Sequence, residues 1–187
     1  MSNVNSDNEL WQLPATELAR LIAAKSVSAV EVTQSVLARL DQVNPSINAV
    51  VTEMPDEALA MAASVDKQLA KGDTAGPLAG IPITIKMNVD QIGHANTNGL
   101  KLLKDNVTNQ DNAVVSNLRK AGAIFVGRTN TPAFSMRWFT RNSVHGHTRN
   151  PVNPDITPGG SSGGAAASVA AGIGPIALGS DLSLIHI

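Results

Sequence analysis

The chain has 187 residues, 43% of them hydrophobic and 16% charged, a balance that suits a packed globular domain rather than a disordered one. It has no cysteine, which excludes disulfides, thiol nucleophiles and cysteine-based zinc sites. A formal net charge of −1 and 3% aromatic residues supply neither the field nor the stacking surfaces that nucleic-acid binding uses.

No stretch reaches the roughly 18 apolar residues a membrane span needs. The polar start, Met1 to Glu9, lacks a basic-then-apolar signal pattern, so a cytoplasmic protein without a membrane partner is expected.

Residues 14–24 read as a short amphipathic helix with Leu18, Leu21 and Ile22 on one face. Ser28 and Glu31 have the spacing of a capping box and open a second helix striped by Val32, Val36, Leu37, Leu40 and Val43. Asn44-Pro45 is expected to stop it. Residues 47–52 are β-branched and predict a strand. A third helix is predicted over 56–71, ended by Gly72.

Residues 80–86, Gly-Ile-Pro-Ile-Thr-Ile-Lys, alternate cleanly. Ile81, Ile83 and Ile85 share one face, Thr84 and Lys86 the other. An irregular segment is predicted from about 88 to 110. Asp111 is expected to cap a helix carrying Val114, Val115, Leu118 and Ala121, ended by Gly122. Residues 123–126 predict a short buried strand, and 127–158 an ordered loop with short helical turns. A small-residue helix over 161–172 and a strand over 175–178 follow. Strands alternating with helices imply an α/β fold with a parallel or mixed sheet.

Three features could carry chemistry. In the run 158–164, Pro-Gly-Gly-Ser-Ser-Gly-Gly, four glycines surround two serines just before a helix. Backbone can approach a ligand closely there, and free N–H groups at a helix start favour negative charge. The run lacks the Gly-Lys-Ser/Thr ending of a phosphate loop and is not a Gly-X-Ser-X-Gly elbow. A bare Gly/Ser cluster is, on its own, most simply a loop with an N-capping serine.

Lys86 is the second feature. Most lysines are solvated, but one at the end of so apolar a strand can lose solvent, which lowers its pKa and leaves a neutral amine able to act as a base. The third is His145-Gly146-His147. No acid or thiol pattern completes a metal site around it, so no metal is expected. His94 reads as an isolated loop residue, and no spacing singles out a histidine partner for a serine.

Taken in order, several segments resemble the amidase signature family. They are residues 80–86, then Leu118-Arg119-Lys120-Ala121-Gly122-Ala123, then Gly127-Arg128-Thr129-Asn130. Gly146, Asn150-Pro151 and the run 158–164 complete the set, over roughly residues 10–181.

The resemblance implies an incomplete amidase-type α/β domain, with helices flanking a mixed sheet. It implies hydrolysis of a carboxamide C–N bond by a Ser–cis-Ser–Lys triad, with no organic cofactor and no metal. Lys86 matches the lysine and Ser161 the bridging serine with its cis peptide. The implied partner is a small-molecule amide substrate of the full-length parent, and oligomeric state is left open.

The sequence departs from the family after Gly179-Ser180-Asp181. The family continues with one residue, two glycines, the nucleophilic serine, then Ile, Arg and a Pro. Here Leu182-Ser183-Leu184-Ile185-His186-Ile187 follows, and the nucleophile's register falls on Ile185. These six residues are also what a transposon end used in sequencing adapters would encode. The expectation is therefore that residues 1–181 are the N-terminal part of one amidase domain, that 182–187 are a non-native tail, and that this chain is inactive. The alternatives are part of the glutaminase component of a tRNA-dependent amidotransferase, or a fragment with no function of its own. Milder departures are Met87 for a common Asp, Arg128 for a frequent Lys and Ala133 for a frequent Glu.

Overall fold

The computed structural model describes residues 10–73 and 75–181. The tail 182–187, including Ile185, and the polar start 1–9 lie outside the described residues.

Two helices open the fold, α1 (Ala15–Ala23) and α2 (Ala29–Ile47). The capping box is present as predicted: Glu31 N–H donates to Ser28 Oγ, and the Glu31 carboxylate accepts from Ser28 N–H. Pro45 does not stop α2, which runs on to Ile47 and closes at Asn48 in the left-handed region. Asn44 holds the chain beyond that end. Its Oδ1 accepts from the backbone N–H of Ala49 and Val50, and its Nδ2 donates to Val50 O at 2.8 Å. One side chain thereby satisfies the backbone that leaves the helix.

Strand β1 (Val50–Glu53) and helix α3 (Pro55–Lys71) follow, and α3 ends at Gly72 with φ +84°. Strand β2 is Pro82–Lys86. The segment after it is irregular, with a single 3-10 turn at Lys101–Leu103. Helix α4 (Ala113–Lys120) is capped by Asn112, whose side chain accepts from Val114 N–H. Asp111, the expected cap, is engaged elsewhere: it accepts from Ile92 N–H and pairs with Arg119 at 2.9 Å.

Strand β3 (Ile124–Thr129) outruns the four-residue prediction and carries Arg128 into the interior. A small hairpin of β4 (Arg141–Asn142) and β5 (Gly146–His147) lies within the predicted loop. Helix α5 (Gly163–Ala170) and strand β6 (Ile176–Leu178) complete the described chain.

The main sheet has the order β1-β3-β2-β6, with β1 antiparallel to β3 and the other pairs parallel. It is the expected mixed sheet flanked by helices. Ile81, Ile83 and Ile85 pack with Leu18, Ile22, Val32 and Phe125. The opposite face of β2 is not solvated. Thr84 Oγ1 lies 3.2 Å from Ser168 Oγ of α5, and Lys86 is completely buried. The alternation of β2 therefore separates an apolar face from a polar face that is equally buried. Among the described residues no helix is long and apolar enough to cross a membrane.

Helix α5 meets the sheet through Gly164. A Cβ there would lie 2.5 Å from the N and O of Asn130 and 2.9 Å from Ala49 O. These atoms are backbone and cannot swing aside. Gly164→Ala is thus expected to lower stability by about 1–3 kcal/mol, the usual cost of overpacking. Urea unfolding measures it, and a change within about 0.5 kcal/mol, typical of surface substitutions, would contradict this packing.

Candidate active site

The end of β2 and the start of α5 bring Lys86 and the Gly-Ser run together. Lys86 Nζ lies 2.9 Å from Ser161 Oγ, 3.0 Å from Ser162 Oγ and 2.9 Å from Ser180 Oγ. The side chain is fully buried, whereas the three serines are half-buried. The Gly160–Ser161 peptide bond is cis. The Ser161 carbonyl accepts from Thr131 Oγ1, which also lies 2.8 Å from Ser135 Oγ.

Burial lowers the Lys86 pKa to about 8 against an ordinary 10.5, and the charge of Asp181 opposes the shift. About a tenth of the amine is then neutral at pH 7 and half at about pH 8. The proton inventory favours one arrangement. Ser162 Oγ donates to Ser180 O at 3.1 Å and accepts from Ser180 N–H at 3.2 Å, so towards Lys86 it can only accept. Ser180 Oγ already accepts from Asn88 Nδ2 at 3.1 Å. Ser161 Oγ has Lys86 as its one hydrogen-bond partner among the described residues. A neutral amine has two N–H groups and one lone pair. The N–H groups suit Ser162 and Ser180, and the lone pair suits the Ser161 proton.

The depressed Lys86 pKa has a consequence for stability. Between pH 8 and 10.5 the unfolded chain holds a proton on Lys86 that the folded chain has released. Stability therefore rises with pH across that window. At about 1.4 kcal/mol per pH unit, wild type gains about 3 kcal/mol relative to Lys86→Met, which has no such proton. Denaturant midpoints of both proteins across the window measure this; a difference that does not vary with pH would contradict a desolvated amine.

The chain leaving Lys86 is held by Arg128. Its guanidinium donates to Ala95 O at 2.6 Å and to Met87 O and Val89 O, both at 2.8 Å. Burial lowers its pKa to about 10, opposed by Asp90, so it stays charged at neutral pH. Sequence reasoning gave Arg128 no role, nor Ser180, Asn88 and Thr131. Arg128 did stand in the segment Gly127-Arg128-Thr129-Asn130 that carries the resemblance, and Ser180 in Gly179-Ser180-Asp181 at its end; Asn88 and Thr131 left no local signal.

The histidines lie elsewhere. His145 Nε2 is 3.1 Å from Thr97 Oγ1, and burial together with Arg128 holds its pKa below the ordinary value. His94 is not isolated but lies 3.1 Å from Glu57. Among the described residues no imidazole bonds Lys86 or Ser161, and no group of three or more metal-ligating side chains forms.

The amidase family model matches residues 31–183. The chain belongs to the amidase family. An indoleacetamide hydrolase of Bradyrhizobium diazoefficiens is 53% identical over 173 residues, covering 92% of this chain and 33% of the relative. A glutamyl-tRNA(Gln) amidotransferase subunit of Carboxydothermus hydrogenoformans is 46% identical, covering 92% of this chain and 36% of the relative. A solved fatty acid amide hydrolase superposes with a TM-score of 0.91 at 34% identity, covering 95% of this chain and 32% of that one. A bacterial aryl acylamidase of the amidase signature family gives 0.84 at 36% identity, covering 88% of this chain and 34% of that one. The amidase chain thus spans about a third of the length of these relatives.

Proposed function

We propose that Lys86 and Ser161 form the proton relay of a carboxamide hydrolase whose nucleophilic serine belongs at position 185. The observation that carries this reading is the fully buried Lys86 Nζ at 2.9 Å from Ser161 Oγ, with Ser162 and Ser180 occupying its remaining valences. Neutral Lys86 takes the Ser161 proton, and Ser161 takes the proton of the nucleophile as that oxygen attacks the amide carbonyl. The proton returns by the same path to the leaving amine. An acyl-enzyme results, which water resolves. No organic cofactor or metal enters these steps, and the substrate is a small carboxamide.

Ile185 has no nucleophilic oxygen, so a polypeptide with this tail is proposed to lack turnover. On this reading residues 1–181 are the N-terminal part of one amidase domain and 182–187 are not native to it. Sequencing the DNA beyond codon 181 tests the tail: a continuation coding one residue and then Gly-Gly-Ser-Ile-Arg supports it, and a genomic stop after Ile187 in an intact gene contradicts it. A cytoplasmic location is part of the same reading, as is the absence of nucleic-acid contact, which the net charge of −1 and the scarcity of aromatic residues support.

The chemistry is tested by joining residues 1–181 to the remainder of the Bradyrhizobium indoleacetamide hydrolase, the 53% identical relative. The chimera is expected to hydrolyse indoleacetamide. A second reading, part of the glutaminase component of an amidotransferase, is favoured by amidotransferase relatives at 42–47% identity. Co-purification of the complete gene product with a tRNA-binding protein supports it.

A further inference from the structure

Ser161 has the surroundings of a nucleophile in its own right. Three hydroxyls share Lys86, but they are not equivalent. Ser162 Oγ is saturated by Lys86, Ser180 N–H and Ser180 O. Ser180 Oγ accepts from both Lys86 and Asn88, so both its lone pairs are engaged. Among the described residues Ser161 Oγ meets Lys86 alone, and once the amine is neutral that contact can use the serine proton. In that arrangement its lone pairs are free, and Ser161 is half-buried while Lys86 is completely buried. The hydroxyl therefore belongs to a more exposed residue than the amine that would deprotonate it. Helix α5 begins just beyond Ser161, and Ser162 at its N-cap places no side-chain oxygen on the first N–H groups.

We propose that Ser161 itself accepts an acyl group from activated aryl esters, with Lys86 as its base. Ser161 Oγ bonds to the ester carbonyl carbon while its proton passes to Lys86 Nζ. The carbonyl carbon–aryl oxygen bond then breaks, and the leaving aryl oxide takes the proton from Lys86. The products are O-acyl Ser161 and a phenol, with no oxidant, reductant or cofactor. The proposal rests on the Lys86–Ser161 relay but needs no residue at position 185, so it applies to this chain as it stands.

The probe is p-nitrophenyl acetate with the full chain at pH about 8, where Lys86 is half neutral. The expected result is one hydroxylamine-labile acetyl group per chain, mapped to Ser161, with a matching burst of p-nitrophenolate. Lys86→Met is expected to slow this labelling by about 100-fold or more, the usual range for a lost general base. Ser161→Ala is expected to abolish the labile adduct. In the wild type, which needs no variant to fold, the labelling rate is expected to rise with pH and level off above about 8. Acetylation confined to hydroxylamine-stable lysine amides would overturn the proposal. So would equal labelling of Ser161 in folded Lys86→Met, or a rate that keeps climbing past pH 10. If Ser161 stays unlabelled while the chimera hydrolyses amides in a Lys86-dependent way, direct acylation fails and the relay stands.

Discussion

Arg128→Met is expected to lower the stability of this chain by about 3–5 kcal/mol, because several charge-assisted hydrogen bonds are lost at once. The guanidinium is completely buried and holds the carbonyls of Met87, Val89 and Ala95. Methionine matches its length but donates nothing, so three acceptors lose charge-assisted bonds worth about 1.5–3 kcal/mol each. The gain from no longer burying a cation offsets part of that loss, which is why the net figure lies below the sum. Domains of this size have about 5–15 kcal/mol in total, so the variant should stand close to unfolding.

Arg128→Lys keeps the charge but has no planar fork to span separate carbonyls, and it is expected to fall between the two. Urea unfolding of the three proteins measures the order. Arg128→Met within about 0.5 kcal/mol of wild type would show that the loop 87–95 does not depend on the guanidinium. The site is affected too. Asn88, which donates to Ser180 Oγ, lies in the segment Arg128 holds.

What the sequence made legible was local. The Ser28–Glu31 capping box, the Gly72 stop and the alternation of β2 each depend on residues within a few positions of one another. Lys86 stood out because its strand is apolar, and Ser161 because its glycine-rich surroundings match the family in order. What escaped depends on distant contacts. Pro45 reads as a helix stop, yet α2 runs on to Ile47, and Asn44 satisfies Ala49 and Val50 beyond its end. Asp111 reads as a cap until Ile92 and Arg119 are seen to claim it, leaving the role to Asn112. The β4–β5 hairpin has two residues in each strand, too few for any periodicity. Ser180 meets Lys86 across 94 positions of sequence, and Arg128 meets Ala95 across 33. Neither spacing carries a signal, because both are set by the parallel order of β3, β2 and β6.

The other large effect concerns the relay. In the chimera with the Bradyrhizobium hydrolase, Lys86→Met is expected to reduce kcat by about 10³–10⁴ or more, because members of such a unit act together. Ser161→Ala should fall by a similar factor, and the double variant by little more than either alone. A merely structural lysine would leave a different trace, with lost stability and kcat preserved in the molecules that remain folded. The pH dependence separates the two further: a neutral Lys86 as base makes the rate rise with pH and level off above about 8. The most direct measurement is kcat of the chimera and its folded Lys86→Met variant on indoleacetamide. A loss of at least about 10³ is the result expected of a base, and a loss of less than about tenfold would contradict the assignment of Lys86.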